Sequence, residues 1–247
     1  MRKRVSVRAL LVLRLAASAA VVAAPALAQS APESPSQPIV RAADAGILGV
    51  ALAGSLLLMP YDVQITAWKG VPALRNSSRV RATLDATAFI GGPGSLAIDA
   101  VMFGAGRIAK NKDFATDGEA AFEAAAVGGA VTFVLKRVIG RARPGLDSTR
   151  ADDFGFGRGF LGGSDYQSFP SGHTTAAFAF ATAITTRLGQ RNSSAVNWAA
   201  PVLFSVATLT GIQRVYRHAH WASDCLMGAA IGTVSGFAAA RWHQQHP

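Results

Sequence analysis

Six titratable or charged side chains and one small-residue turn carry the chemistry open to this sequence. In "KRVIGRARP" (136–144), Lys136 and Arg143 stand seven residues apart. On a persisting helix that is two turns, so both point the same way and clamp an anion before Pro144 stops the helix. A solvated or snorkelling basic helix end accounts for the same pair. In "SFPSGHTTAAFAFA" (168–181), Ser171 is placed to cap a helix, Gly172 lets a ligand approach the backbone, and His173 stands at the helix mouth. Unpaired N–H groups and the positive dipole end make such a start an anion site. Taken alone, this stretch reads as well as a capped helix with an incidental histidine. In "RVYRHAHWASD" (214–224), His220 and Asp224 are four apart and meet on one helix face. A carboxylate on one imidazole nitrogen fixes the tautomer and frees the other as nucleophile or base, and Arg214 adds a cation able to form two parallel bonds. The alternative is an ordinary i,i+4 pair at a helix start. His218 is the rival histidine, six residues from Asp224 and off that face.

The elements that must position these groups read as helices. Apolar segments rich in Ala, Leu, Val and Gly lie at about 42–59, 82–109, 117–139, 172–187, 196–213 and 222–242, without the alternation of strands. Asp44 and Asp117 sit where N-caps or first-turn acids belong. "GGPG" (91–94) divides the second segment into two shorter helices. The expectation is an all-α bundle of about six core helices. A long loop, Gly145 to Phe169, separates the first two motifs, and a loop of that length in a compact domain is functional or mobile. Its "GFGRGF" (155–160) lacks the spacing and the preceding strand of a dinucleotide fingerprint, and Phe154, Phe160 and Tyr166 shape a pocket rim or pack the loop.

The chain of 247 residues carries a formal net charge of +10, is 50% hydrophobic and 15% charged, and has one cysteine, Cys225. An internal disulfide and a cysteine zinc site are therefore excluded. "MRKRVSVRALLVLR", a short apolar core and Ala26-Leu27-Ala28 have the layout of a secretory signal peptide over 1–28, followed by a Ser/Pro-rich tether over 29–40 and one domain over 41–247. Losing the five leader cations brings +10 to +5, which removes the support for a nucleic-acid partner. The remaining basic residues gather between Lys136 and Arg158 and point to a small, local anion. Asp147, Asp152, Asp153 and Asp165 bring no histidine or ligand spacing, so no metal site is expected.

Together and in this order, K-x6-R-P, then P-S-G-H, then R-x5-H-x3-D resemble the signature of the type 2 phosphatidic acid phosphatase superfamily, which includes bacterial non-specific acid phosphatases and vanadium haloperoxidases. Every charged and histidine position is filled; the one departure is Gln213, where the family usually has Ser. The motifs cover 136–224. The resemblance implies phosphate-monoester hydrolysis without metal or other cofactor. His220 is then the nucleophile that becomes a phosphohistidine, Asp224 orients it, and His173 is the acid and then the base. Lys136, Arg143, Ser171, Gly172 and Arg214 hold the phosphoryl oxygens. The alternative under the same resemblance is a vanadium haloperoxidase, with vanadate in that cradle. The substrate is a phosphorylated small molecule or lipid, of identity not coded here, and oligomeric state is equally unspecified.

The same family holds soluble periplasmic enzymes and six-span lipid phosphatases. Charge-free runs such as 45–61, 86–98, 124–135 and 225–240 fall short of the roughly 20 residues of a span; only 192–213 reaches that length. Six spans after a cleaved leader would also put the site on the cytoplasmic side, opposite to the family's habit. The expectation is a periplasmic or secreted helical protein, compatible with resting on a membrane.

Overall fold

Alanine and threonine dominate the inner faces of the central helices, and small side chains let helix axes approach closely. The computed structural model describes residues 38–67 and 77–247. Helix α1 (Ala42–Leu58) runs through a 3-10 turn (Met59–Tyr61) into the short α2 (Asp62–Thr66). Then come α3 (Ser78–Gly91), α4 (Pro93–Ile108), α5 (Lys112–Ile139), the one-turn α6 (Arg158–Leu161), α7 (Gly172–Gln190), α8 (Val196–Tyr216) and α9 (Ala222–Gln245). The described residues contain no strand, so the all-α expectation holds. The leader and nearly all of the tether expected at the N-terminus lie outside the described residues.

Helix α7 is the axis of the bundle, packed against α9, α5 and α8. Ala121 and Ala124 of α5, Ala179, Ala183 and Ile184 of α7 and Ala239 of α9 form one buried cluster; Ala177 and Ala181 of α7 meet Ala207 of α8 in another. α1 covers α9, and α3 covers α8.

Local chemistry explains the boundaries and corrects some expectations. Ser77 Oγ accepts the Val80 N–H at 3.2 Å and starts α3; Asn111 Oδ1 accepts the Phe114 N–H at 3.1 Å and starts α5. Helix α5 thus begins before the expected position, and Asp117 lies inside it, bound to Arg191 at 2.6 Å rather than capping. Asp44 does hold a first-turn place and accepts the Arg41 N–H at 2.8 Å. The break in the second segment falls at Gly92, as "GGPG" predicted. The long loop is not structureless. It carries α6 and a 3-10 turn (Gly163–Tyr166), and Arg158 ties it together by donating to Gly140 O and to Asp153.

The outer faces of α1, α3, α4, α5 and α8 expose large apolar side chains, Leu57, Phe89, Val101, Phe133 and Trp198 among them. Two helical stretches, Ala42–Thr66 and Ala222–Gln245, are long and apolar enough to cross a membrane; the pair Ser78–Gly91 and Pro93–Ile108, bent by 49°, makes a third if it is one span. These features support membrane association. They also differ from the sequence-based reading, which found span length only at 192–213. Cutting runs at charges ended one at Asp62 and started another after Asp224, yet both carboxylates are buried on Arg141 inside the protein.

Candidate active site

One end of the bundle gathers all three motifs. Helix α5 stops at Ile139 because Gly140 takes the left-handed conformation (φ 59°), which glycine adopts without a Cβ penalty. Lys136 and Arg143 therefore do not share a helix face, as the seven-residue spacing had suggested; the chain turns back between them. They converge nonetheless. Lys136 Nζ donates to Gln167 O at 2.7 Å, and Arg143 Nη2 donates to the same carbonyl at 3.4 Å. Arg143 also donates to Ser164 O at 2.7 Å and Ala219 O at 2.8 Å. Among the described residues Arg214, in the last turn of α8, finds Gln213 Oε1 at 3.5 Å for Nη1 and no partner for its buried Nε. Among the described residues no carboxylate pairs with Lys136, Arg143 or Arg214.

The histidines stand at the mouths of two helices. Ser171 is the N-cap residue of α7, its N–H bonded to Asp224 O at 3.0 Å, but its hydroxyl is turned to Thr174 Oγ1 at 2.9 Å instead of capping. Gly172 opens α7, and a Cβ there would lie 3.8 Å from Lys136 Cε, so the lysine stem crosses the helix start. The first-turn amides of α7 have no acceptor within their own helix. His173 follows. Its pKa is lowered to about 4 by burial and then by the charges of Arg214, Lys136 and Arg143.

His220 precedes α9, which begins at Ala222, so it and Asp224 do not share a helix face either. Asp224 reaches back across the helix start and accepts the Trp221 N–H at 2.8 Å. The direct partner of His220 Nδ1 is the carbonyl of Ser168 at 2.7 Å, with Asp224 Oδ2 behind it at 3.7 Å. A carbonyl only accepts, so Nδ1 bears the proton and Nε2 keeps its lone pair. Nε2 faces Arg143 Nη1 at 3.5 Å. Burial, reinforced by Lys136 and opposed by Asp224, lowers the His220 pKa to about 3.

Behind these groups lies a buried polar lattice that the motifs alone did not reveal. Arg141 has no solvent exposure; it donates to Asp224 Oδ1 at 2.5 Å, Asp62 Oδ2 at 2.9 Å, Ser223 Oγ at 2.7 Å and Ala151 O at 2.6 Å. Ser168 Oγ donates to Asp224 Oδ2 at 2.5 Å, and Asp62 accepts both the N–H and the hydroxyl of Ser223. Asp224 thereby fixes the residue whose carbonyl fixes His220. Arg141 stands in the first motif, but its sequence position alone gives no sign of burial, and Asp62 lies far upstream in α2.

Gly92 was also missed as a site residue. A Cβ on it would fall 2.4 Å from His173 Cδ2 and 2.8 Å from Ala88 O, distances that real Cβ atoms do not show. The interruption between α3 and α4 is the space the His173 ring occupies. Gln213 Nε2 donates to Asp85 Oδ1 at 2.8 Å, and Arg217 binds the same carboxylate. The glutamine thus ties α8 to α3 through its amide nitrogen. The loop aspartates join no metal-ligand group: the described residues contain no cluster of three or more His, Cys, Asp or Glu.

Comparison with known proteins adds family evidence to this geometry. The family model described as the PAP2 superfamily matches residues 119–247, which takes in every motif above. A protein of Porphyromonas gingivalis named lipid A 1-phosphatase is 42% identical over 86 residues, 35% of this chain and 18% of that protein. A Rhizobium johnstonii protein of the same name is 34% identical over 106 residues, 42% of this chain and 38% of its own length. The chain therefore spans well under half the length of these two curated relatives. No solved structure matches it.

Proposed function

Because this chain belongs to the PAP2 superfamily, we propose that it hydrolyses phosphate monoesters, with a membrane lipid phosphate as the substrate class. The observation that carries the reading is the gathering of Lys136, Arg143 and Arg214, which no carboxylate pairs among the described residues, beside the half-buried His173 and the buried His220, at the open N-terminus of α7. A tetrahedral dianion is the ligand that would balance Lys136, Arg143 and Arg214 and use the α7 amides. The family match and the two relatives named for a lipid phosphatase support the same class.

In the proposed reaction His220 Nε2 attacks phosphorus and the P–O bond to the alcohol breaks. His173 gives its proton to the departing oxygen. In the second half, His173 takes a proton from water, the water oxygen attacks phosphorus, and the P–N bond returns its electron pair to His220. Charge stabilisation comes from the three cations and the helix start, and that is most of what phosphoryl transfer asks of a protein. The reading needs no metal or cofactor. Ser168 O, held by Asp224, keeps the Nδ1 proton in place throughout.

In the empty site His173 is neutral above about pH 4. An arriving phosphate dianion opposes the three cations that depress it, so substrate itself raises the proton affinity of the acid. Location outside the cytoplasm rests on the N-terminal stretch acting as a leader; a mature N-terminus found at or near Gln29 would support its cleavage, and an intact Met1 would rule out cleavage and leave an uncleaved anchor.

Hydrolysis of p-nitrophenyl phosphate and of phosphatidic acid by the purified protein, with vanadate as a competing anion, tests the activity. Trapping 32P on His220 in a base-stable, acid-labile linkage tests the intermediate. Rates that survive EDTA are expected; rates abolished by EDTA and restored by magnesium would contradict the mechanism.

A further inference from the structure

We propose that Phe156 and Leu161, on the loop between the first two motifs, form an apolar foot that inserts into the lipid bilayer interface beside the mouth of the site. Leu161 is 93% exposed and Phe156 92%, the two most exposed large apolar side chains among the described residues. Neither hangs from a slack loop. Gly157 N–H donates to Val138 O at 2.7 Å, Gly155 N–H to Gly140 O at 3.2 Å, and Gln167 Nε2 to Gly159 O at 2.8 Å. Gly159 lies so close to the end of α5 that a Cβ there would meet Lys136 O at 2.3 Å. Arg158 stacks over Tyr166 at 4.1 Å and binds Asp153. Residues 154–161 are therefore built onto the C-terminal end of α5, and the ordering cost of presenting Phe156 and Leu161 is already met by the fold.

The occupant follows from what lies alongside. Past Glu123, the C-terminal half of α5 is apolar on its outward side, with Val127, Val131, Phe133 and Val134 exposed, and charge returns only at Lys136 and Arg137. An apolar band that ends in basic residues has the pattern of a helix meeting the headgroup region. The foot sits at that border, beside the lysine of the site. The loop itself is not a basic patch: 145–169 carries Arg150 and Arg158 against Asp147, Asp152, Asp153 and Asp165. The surface it recognises is hydrocarbon, not the charge of anionic headgroups, and its insertion depends weakly on salt. A foot at this depth sets the anion cradle at the level of lipid phosphates. That consequence rests on the lipid-phosphate reading; the insertion does not.

The test uses the full chain reconstituted in phosphatidylcholine vesicles. A bimane label on Phe156→Cys, with native Cys225 buried, is expected to be quenched by phosphatidylcholine brominated near the headgroup end of its chains. The double variant Phe156→Ser/Leu161→Ser is expected to lower hydrolysis of phosphatidic acid in the vesicles by roughly tenfold, the effect of losing two apolar anchors, while p-nitrophenyl phosphate turns over as before. An unquenched label overturns the proposal, as does an equal loss on both substrates. So does a change of oligomeric size in the double variant without quenching, which would make the patch a contact between copies of the chain. If the wild type hydrolyses neither substrate but the label is quenched, the phosphatase reading fails and the foot stands.

Discussion

The two ends of the bundle use the same residue types to opposite purposes. At the end away from the site, cations are matched. Asp117 receives Arg191 at 2.6 Å and Arg187 at 3.4 Å, Asp44 receives Arg241 at 2.6 Å, and His243 lies 2.9 Å from Glu123. At the site end Arg141 is matched by Asp62 and Asp224, and Arg158 and Arg217 at the rim by Asp153 and Asp85, but Lys136, Arg143 and Arg214 meet carbonyl and amide oxygens and the His220 ring, with no carboxylate partner among the described residues. Carbonyls fix the position of a cation without cancelling its charge. The matched end holds helices together. The unmatched end is pre-set for an anion that the protein does not itself supply, and Arg141 takes no part in that surplus because it is spent on the aspartates that organise His220.

The largest expected effect breaks the chemistry and leaves both ends folded. His220→Ala should lower turnover by roughly a thousandfold or more, and His173→Ala by at least about a hundredfold, in steady-state assays. Near-normal rates in either variant would remove it from the site.

A contrast between the two matched arginines comes next. Arg141→Met strands two buried carboxylates and should cost about 3–5 kcal/mol of stability, together with most of the activity. Arg187→Met leaves Asp117 with Arg191 and should cost about 1 kcal/mol or less with turnover intact. Denaturation midpoints read both, and equal losses would erase the distinction drawn between the ends.

Gly92→Ala acts on one ring. It should displace His173 and slow hydrolysis of an alkyl phosphate by roughly tenfold or more. p-Nitrophenyl phosphate should suffer less, because its leaving group needs little protonation. A uniform loss across leaving groups would point to general disruption of the α3–α4 corner instead.

The smallest effect tests the surplus charge directly. In the empty site the histidine pKa values lie below the ordinary 6.5, at about 4 for His173 and about 3 for His220. At these two rings the unfolded chain then binds more protons, so without an anion the histidines' contribution to stability should fall as pH drops from about 6.5 towards 4. A bound dianion raises both values and takes up protons. Sulfate, a dianion throughout this range, should therefore bind several-fold more tightly at pH 4.5 than at pH 6.5, read from the shift in melting temperature. Affinity that is flat with pH would mean that the histidines do not sense the anion.

Much of this was legible in the residues. Helical class, the break at "GGPG" and the grouping of Lys136, Arg143, His173, Arg214, His220 and Asp224 at one end all follow from type, order and spacing. What failed were arguments from helix periodicity across a boundary. Lys136 with Arg143, and His220 with Asp224, each straddle a helix end, where 3.6-residue geometry lapses; one left-handed glycine and one helix start reset the directions. Span length was misjudged for a related reason. A charge ends an apolar run in one dimension, but Asp62 and Asp224 are neutralised by an arginine about eighty residues away from each.

By itself the sequence determined the family and which charged and histidine groups meet at one end of the bundle, because the order and type of those residues make up the motifs. Only the tertiary structure decided that Ser168 O, not Asp224, is the direct acceptor for His220, that Arg141 is a buried keystone instead of one more phosphate cation, and that Gly92 makes room for His173. Those are questions of which atoms lie within three or four ångströms, set by packing between segments far apart in the chain, and no local pattern encodes them.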